Sequence, residues 1–333
     1  MKYLSRRNLL KAAGSLALAS ALPTPHVSLA GMWSQLFGGF GREVSPITPN
    51  DEFYITSYRS PPDVRLFNWS LGIKGLVKAP LTLDYTGLLS RPPTSEIVTL
   101  ECVGNGVGGE SIGTAEWEGL SLKTVLDEAG VESDAFDVVL RAADGYSDSF
   151  PVERAMAGDV LIAYKMNGVT LPPGHGYPAR IIVPGIYGMK NVQWLTEIEL
   201  VNKDYQGYYQ RQGWSDNATV QTRSWITDPQ EGDELDTRTM TMKGFAFAGT
   251  RGVRSVELSL DGGHTWQLAR LKPALSPYSW VFWTYAWQDP KPGFYRLKVR
   301  ATDGTGTLQS AIEHKPFPDG GTGLQEITFA VTG

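Results

Sequence analysis

The sequence predicts an α+β protein that is mainly β and has two domains. Segments in which apolar and polar residues alternate dominate the chain, and the helical patterns, such as 122–130, are short. Residues 228–234 are acidic, turn-rich and poor in apolar side chains, which is typical of a domain boundary. Beyond this break the chain contains evenly spaced strand patterns separated by Asp-Gly turns, which favours a β-sandwich.

The first 30 residues have the composition of an export signal. Basic residues precede an alanine- and leucine-rich stretch over 9–22, and small residues follow at 28–30. The paired Arg6 and Arg7 are typical of the twin-arginine route, which predicts a periplasmic protein. The apolar stretch is shorter than the roughly 20 residues of a spanning helix. We therefore expect cleavage and no stable membrane span after it.

Charge and cysteine content narrow the class of protein. Removal of residues 1–30 takes away four of the 30 basic residues, which leaves 26 against 35 acidic residues and a net charge of about −9. Such a charge disfavours nucleic acid as a partner. The chain has a single cysteine, so no disulfide can form within it, and its stability must come from apolar burial.

Residues 31–45 are glycine-rich and are interpreted as an arm or linker, followed by a first domain over 46–226. Short strands are predicted in this domain at the end of 47–58 and at 71–77, 96–101, 137–142, 160–166, 181–183 and 192–201. Short helices are predicted at 83–89, at 122–130 and within 150–156. Ser121 is a predicted N-cap for the second helix, and Gly130 is expected to end it.

The second domain is predicted over 227–333 as an immunoglobulin-like sandwich. Its predicted strands are 239–247, 253–260, 280–287, 293–301 and 325–331. Tryptophans at 266, 280, 283 and 287 are expected in its core and on its faces.

The stretch 96–109 is the most informative for function. Val98 and Leu100 alternate with polar residues, as in a half-buried strand, and glycines stand at 104, 106, 108 and 109. This pattern predicts that the sulfur of Cys102 lies at a strand end beside open backbone. The alternative is a small, buried and inert hydrophobic residue. The glycines also match G-x-G-x-x-G, but no helix begins there, so a dinucleotide site is not predicted.

Several common catalytic motifs are missing from the sequence. It contains no H-E-x-x-H, no P-loop, no G-x-S-x-G and no C-x-x-C-H. Standard zinc hydrolysis, nucleotide hydrolysis, a nucleophile-elbow serine and a c-type haem attached to this chain are therefore not predicted.

The remaining candidates are His175, Arg180 and Lys190 with Asn191. His175 could instead be a loop histidine bonded to the backbone, and Lys190 a solvated turn charge. Arg180 begins an apolar strand, where a guanidinium needs an anionic partner. The glycine turn before Lys190 suits phosphate. Together with one soft sulfur, this set suits a metal carried by an anionic organic cofactor.

At these residues the sequence resembles the sulfite oxidase family of molybdopterin enzymes. Thr99-Leu-Glu-Cys-Val-Gly-Asn105 is similar to the cysteine motif of the family, and Trp117-Glu-Gly-Leu120 to the segment after it. Gly174-His-Gly-Tyr-Pro-Ala-Arg-Ile-Ile-Val-Pro-Gly185 and Gly188-Met-Lys-Asn-Val-Gln-Trp194 are similar to its most recognisable stretch. With the C-terminal sandwich, the resemblance covers nearly all of 46–333.

The resemblance implies a molybdenum–molybdopterin cofactor, with Cys102 as a thiolate ligand of the metal. It implies cofactor-binding roles for Phe53, Tyr54, Ile55, Thr56, Ser57, Asp144, His175, Arg180, Lys190, Asn191, Val192 and Gln193. Among these, Arg180 and 191–193 would hold the phosphate end, and Asp144 and His175 the pterin.

Two departures from the family pattern concern the substrate. In true sulfite oxidases an arginine that helps to bind the anionic substrate lies where this sequence has Thr56. The active-site tyrosine of the family corresponds to Tyr205, Tyr208 or Tyr209, or its place is taken by Trp214; the alternative for this segment is an aromatic cover over the core. Thr56, Tyr205 and Trp214 therefore join Cys102 as catalytic candidates.

The implied activity is oxygen-atom transfer between a small substrate and molybdenum. The electrons would be exchanged with an external carrier such as a c-type cytochrome. Sulfite oxidation and the reduction of a sulfoxide or related oxide remain alternatives, as does a fold that keeps the cofactor without turnover. A further alternative is a non-catalytic β-sandwich binding module. The resemblance also allows a homodimer formed through the C-terminal domain.

Overall fold

A computed structural model describes residues 44–236 and 239–332, which contain four β-sheets and three short α-helices. All of them belong to one compact unit. The predicted export signal (1–30) and nearly all of the predicted arm (31–45) lie outside the described residues. Within the described part, no helix is long and apolar enough to cross a membrane.

Two sheets build the first half of the molecule. Its strands are β1 (Leu71–Gly75), β2 (Leu81–Leu83), β3 (Thr94–Glu101), β4 (Ile112–Ser121), β5 (Asp137–Ala142), β6 (Ser147–Pro151), β7 (Leu161–Met166), β8 (Val169–Thr170), β9 (Arg180–Ile182) and β10 (Leu195–Val201). One sheet has the order β2-β1-β10-β5-β6; the other has the order β3-β4-β7-β8, with β9 also paired to β7. The helices are α1 (Tyr85–Leu89), α2 (Leu122–Ala129) and α3 (Val152–Ala155).

Helix α2 forms because one of its faces is apolar. Leu122, Val125, Leu126 and Ala129 are all buried on that face. Gly130 ends the helix with a φ of 71°, a conformation that glycine adopts without strain, and its amide donates to the carbonyl of Leu126. Ser121 does precede the helix, but its side chain makes no capping hydrogen bond.

Two further sheets form a β-sandwich in the second half. Its strands are β11 (Arg223–Asp228), β12 (Glu234–Asp236), β13 (Thr239–Phe247), β14 (Val253–Ser259), β15 (Gln267–Leu268), β16 (Arg270–Leu271), β17 (Val281–Gln288), β18 (Gly293–Asp303) and β19 (Glu326–Thr332). The sheets have the orders β11-β13-β17-β16 and β12-β19-β18-β14-β15. Met242, Leu258, Trp283 and Val299 pack in the core between them. The predicted mainly β fold with a terminal sandwich is thus confirmed.

Strand β11 spans the point at which the domain boundary was predicted. It pairs with β13 from Arg223 to Asp228, so the sandwich takes its first strand from residues assigned to the first domain. The composition break at 228–234 marks the exposed turn after this strand. Composition responds to solvent exposure and therefore follows the turn rather than the first strand of the sandwich.

The segment before β1 differs from its prediction. Residues 53–58 form no strand, because they run as an irregular segment along a cleft rather than beside a sheet edge. The last long strand of the first half starts at Leu195 rather than at residue 192. Residues 192–194 are buried but irregular, and Trp194 has a φ of 49°, which non-glycine residues rarely adopt.

A shared apolar cluster joins the two halves. Val103, Ile112 and Met189 from the first half pack in it with Trp225 and Phe245 from the sandwich. Backbone contacts cross the same junction, since the amide of Thr99 donates to the carbonyl of Tyr278 at 3.1 Å. The loop that carries Cys102 therefore lies directly against the sandwich.

Candidate active site

Irregular segments of the first half line a cleft of about 260 Å³. Its walls come from 53–58, from the loop after β3, from the turn between β5 and β6, and from 188–194 and 209–214. Most of the predicted site residues line it, namely Phe53, Tyr54, Thr56, Ser57, Cys102, Asp144, Arg180, Asn191, Val192, Gln193 and Trp214. The fold thus brings together residues that are up to 161 positions apart in the sequence.

Cys102 is one of the residues that line this cleft. It directly follows β3, and its amide donates to the carbonyl of Ser111 at 2.9 Å, which closes the loop between β3 and β4. The thiol is free and half-buried. Burial raises the pKa of the Cys102 thiol, whereas hydrogen bonds with the Gly104 backbone and the Thr56 side chain lower it. Cys102 is therefore not packed in a hydrocarbon core.

Arg180 also lines the cleft, and its side chain is buried, with 4% of the residue exposed. Its Nη1 donates to the carbonyl of His175 at 2.9 Å and its Nη2 to that of Asn191 at 3.0 Å, while Nε has no partner among the described residues. Burial lowers the pKa of the guanidinium to about 10. A buried cation bonded to neutral carbonyls and with a free N–H fits an anionic ligand.

Asp144 and His175 also have unused hydrogen-bonding capacity. Asp144 Oδ1 accepts from the amide of Tyr146 at 2.9 Å, whereas its Oδ2 is buried without a partner. His175 Nε2 donates to the carbonyl of Asn50 at 2.7 Å, which leaves Nδ1 as a buried acceptor without a partner. Burial lowers the pKa of His175, so the ring is neutral near pH 7. These orphaned atoms fit a ligand rich in hydrogen-bond donors and acceptors.

Residues 191–193 face the cleft, but their side chains are largely engaged in holding the backbone. Asn191 Oδ1 accepts from the amide of Val183, and its Nδ2 donates to the carbonyls of Ile186 and Tyr187. Gln193 Nε2 donates to the carbonyl of Gly174 at 3.3 Å.

Three predicted cofactor residues, Ile55, His175 and Lys190, are not part of the cleft wall, and each has a different structural reason. Ile55 points outwards and is 58% exposed. His175 lies behind Phe53, with the two rings 5.7 Å apart. Lys190 is turned away by acidic side chains: its Nζ donates to Oδ1 of the buried Asp148 and to Oδ1 of the exposed Asp216, each at 3.0 Å.

The Lys190 cluster supports the cleft from behind instead of binding an anion. Asp148 also accepts a hydrogen bond of 2.8 Å from the phenol of Tyr146, and Tyr146 is part of the cleft wall. Nothing in the local sequence around Lys190 indicated these partners, since Asp148 is 42 residues away. Tyr146 and Met189 are cleft residues that sequence reasoning missed; the only available signal was their position beside predicted turns.

The aromatic segment after β10 contributes Tyr209 and Trp214 to the cleft. Their ring centroids are 6.3 Å apart in an edge-to-face arrangement. The structure does not place Tyr205 in the cleft, because its hydroxyl is hydrogen-bonded to Ser147 Oγ at 2.8 Å. Burial is the main factor that raises the pKa of the Tyr209 phenol, so it remains a proton donor at neutral pH.

Cations are scarce in the cleft wall. Thr56 contributes an uncharged hydroxyl group to this wall. Arg59 is exposed, and its guanidinium lies 4.9 Å from the centroid of the Tyr58 ring. Among the residues that line the cleft, Arg180 is the only basic one. No group of three or more metal-ligating side chains was found among the described residues.

Comparison with known proteins agrees with this site. Residues 58–209 match the model of the oxidoreductase molybdopterin binding domain, and 216–314 match that of the Mo-co oxidoreductase dimerisation domain. The chain is 32% identical to sulfite oxidase of Gallus gallus over 286 residues, which is 71% of this chain and 62% of that protein. It is also 32% identical to mitochondrial sulfite oxidase of Homo sapiens over 285 residues, 71% of this chain and 52% of that protein.

A solved structure shows the same architecture. The sulfane dehydrogenase SoxCD of Paracoccus pantotrophus is similar with a TM-score of 0.76 and 25% identity, over 85% of this chain and 81% of that chain. The chain thus spans about half to three fifths of the length of the curated relatives above and most of this structural neighbour. Both halves of the molecule match, and they do so in the same order. The chain belongs to the sulfite oxidase family of molybdopterin-dependent oxidoreductases.

Proposed function

We propose that this protein is an oxidoreductase that transfers an oxygen atom at a molybdenum ion ligated by Cys102. The observation that supports the proposal best is that one cleft is lined both by the half-buried thiol of Cys102 and by the buried Arg180. Arg180 bonds to backbone carbonyls and to no acidic side chain among the described residues. A soft thiolate suits molybdenum, and the guanidinium suits the phosphate of the pterin. When bound, the cofactor supplies two-electron oxygen-atom chemistry.

The chain's own residues would hold the cofactor by hydrogen bonds and charge. Arg180 would bind the anionic end, together with the backbone of 191–193. Asp144 Oδ2 is a buried atom of the cleft wall without a partner among the described residues, and it would gain one from the pterin. Because the side chain of Asn191 already holds its own turn, its contribution would come from the backbone.

On the substrate side the wall offers hydroxyl groups rather than charges. The Thr56 hydroxyl interacts with the Cys102 sulfur and lowers its pKa, so it would stabilise the thiolate. Tyr209 would donate a hydrogen bond to a substrate oxygen, because its raised pKa keeps the phenol protonated. Trp214 would cover the other side and exclude water.

Sulfite oxidation is the first candidate, since the two curated relatives named above are sulfite oxidases. The reduction of an uncharged oxide such as a sulfoxide is the second, and the cleft favours it in one respect. Arg180 is the only basic residue that the described part of the chain contributes to the wall, and it is already required at the phosphate end. A dianion would therefore find no second cation from these residues beside Cys102. An uncharged substrate would not need one.

Further parts of the proposal concern the cellular context. Residues 1–30 support export to the periplasm by the twin-arginine route, and the absence of C-x-x-C-H in the sequence supports an external electron carrier such as a c-type cytochrome. The match of 216–314 to a dimerisation domain supports a homodimer.

Two measurements on the purified protein test the proposal. The first is elemental analysis, for which we expect about one molybdenum per chain. The second is a dye-linked assay with sulfite as electron donor and a sulfoxide as electron acceptor, and we expect turnover of at least one of them. A protein expressed with an active cofactor pathway that binds no molybdenum would contradict the proposal.

A further inference from the structure

We infer that Arg223, the first residue of β11, is a positioning residue for the Cys102 loop. By this inference the sandwich does more than mediate dimerisation, because it fixes the segment that presents the thiol to the cleft. The part of the inference that concerns the metal rests on the proposed function. The part that concerns the loop does not.

Arg223 grips the cysteine loop at several points. Its Nη1 donates to Glu101 Oε1 and, at 2.9 Å, to the carbonyl of Asn105, and its Nη2 donates to the carbonyl of Gly106. Glu101 precedes Cys102, and Asn105 follows it by three positions. One guanidinium thus holds the chain on both sides of the thiol, with five planar donors of fixed geometry available for this purpose.

Trp225, two residues further along β11, also bonds to the loop. Its Nε1 donates to the carbonyl of Gly109 at 2.9 Å. The Arg223 guanidinium lies 4.8 Å from the centroid of the Trp225 ring, so the two side chains also orient each other. Alternate residues of a strand point to the same face, which explains why both reach the loop.

The loop needs external support because of its own composition. Four of the eight residues from 102 to 109 are glycines, which have no side chains that could fix the backbone. The loop's own contacts include Asn105 Nδ2 donating to Glu101 Oε1 at 3.0 Å and the Asn105 amide donating to the Cys102 carbonyl at 3.0 Å. Both contacts involve Asn105, and its carbonyl is in turn held by Arg223.

Charge is the second part of the inference. The Glu101 side chain is fully buried, and its Oε2 has no partner among the described residues. Arg223 is itself 2% exposed, so the two charges compensate each other away from solvent.

The test compares Arg223→Gln with Arg251→Gln. Arg251 is a matched control in the same half, since it pairs with Asp303 at 2.8 Å and holds the carbonyl of Val220 without contacting the cysteine loop. In cofactor-free protein, we expect Arg223→Gln to accelerate hydrogen exchange of the amides in 102–111 by about tenfold or more. Arg251→Gln should leave exchange in that segment unchanged.

In molybdenum-loaded protein, Arg223→Gln should change the Mo(V) electron paramagnetic resonance spectrum, because the segment that presents the thiol is no longer held. The double variant Glu101→Gln/Arg223→Gln should show the same fast exchange, because removal of the carboxylate does not restore the contacts of Arg223 with the loop.

If Arg223→Gln matches Arg251→Gln in loop exchange and in the spectrum, the inference is wrong. If instead the wild-type protein takes up no molybdenum, the proposed function fails, and the exchange comparison still decides the role of Arg223.

Discussion

The guanidinium of Arg180 lies 5.0 Å from the centroid of the Trp117 ring, and Arg180 lines the same cleft as Cys102. Trp117 is itself fully buried on β4. The ring and two carbonyls hold a positive charge in the interior without neutralising it. The first prediction follows from this buried positive charge.

Replacement of Arg180 should reduce cofactor content. We expect Arg180→Gln to lower molybdopterin affinity roughly 10- to 100-fold, because a hydrogen bond to a charged group contributes about 1.5–3 kcal/mol. Molybdenum and pterin per chain are the measurements. Arg141→Gln, at a half-exposed ion pair with Glu197, should retain the wild-type content. Full occupancy in Arg180→Gln would contradict the assigned role.

Replacement of Cys102 should separate binding from turnover. Cys102→Ser removes the proposed metal ligand but leaves Arg180, Asp144 and His175 in place, so pterin should remain bound. We expect activity to fall by at least about 100-fold, since even residues that only support a metal ligand contribute 10- to 100-fold. Pterin fluorescence and steady-state rates are the measurements. Wild-type turnover by the serine variant would sink the assignment.

Tyr209 and Tyr205 form a matched pair for testing the substrate side. Loss of a proton donor at the reacting oxygen should cost Tyr209→Phe about 100-fold in kcat. Tyr205→Phe should keep kcat within about twofold and lose about 1 kcal/mol of stability, because its hydroxyl bonds to Ser147, Arg141 and Arg211 outside the cleft. Equal effects of the two substitutions on kcat would show that Tyr209 has no special role.

Lys190 should be a residue for stability. Lys190→Met leaves the buried Asp148 without its cation, and we expect the free energy of unfolding to fall by about 3–5 kcal/mol. Lys165→Met breaks a more exposed pair with Glu118, which solvent screens, and should have a much smaller effect. Chemical denaturation of cofactor-free protein gives both values. A Lys190→Met variant as stable as Lys165→Met would show that the buried cluster is not required.

His175 should make stability depend on pH. Burial lowers its pKa in the folded state below 6.5, so the unfolded chain binds this proton more readily. The contribution of the neutral ring is complete above pH 6.5 and is lost as the pH falls towards the folded-state value. Between pH 7 and pH 5, the wild type should therefore lose more stability than His175→Gln, as measured by denaturation of cofactor-free protein. Parallel curves would contradict this prediction.

Local patterns predicted most secondary structure. The face of α2 is formed by four apolar residues at helical spacing, and the alternation in 239–247 and 253–259 gives β13 and β14 with little error. These elements satisfy their backbone hydrogen bonds through regular pairing, so their period appears in the sequence. Residues 53–58 are rich in aromatic and β-branched residues but have no partner strand, and for that reason the prediction of a strand was wrong there.

The sequence by itself determined the chemical inventory: one thiol among glycines, an arginine at the start of an apolar strand, and motifs shared with one enzyme family. Tertiary structure decided how these residues are used. It gave Lys190 to Asp148, selected Tyr209 instead of Tyr205 for the cleft, and joined Arg223 to Glu101 across 122 positions. The physical reason is that a buried charge takes its role from whatever group compensates it, and that group is chosen by packing between distant segments, which no local pattern records.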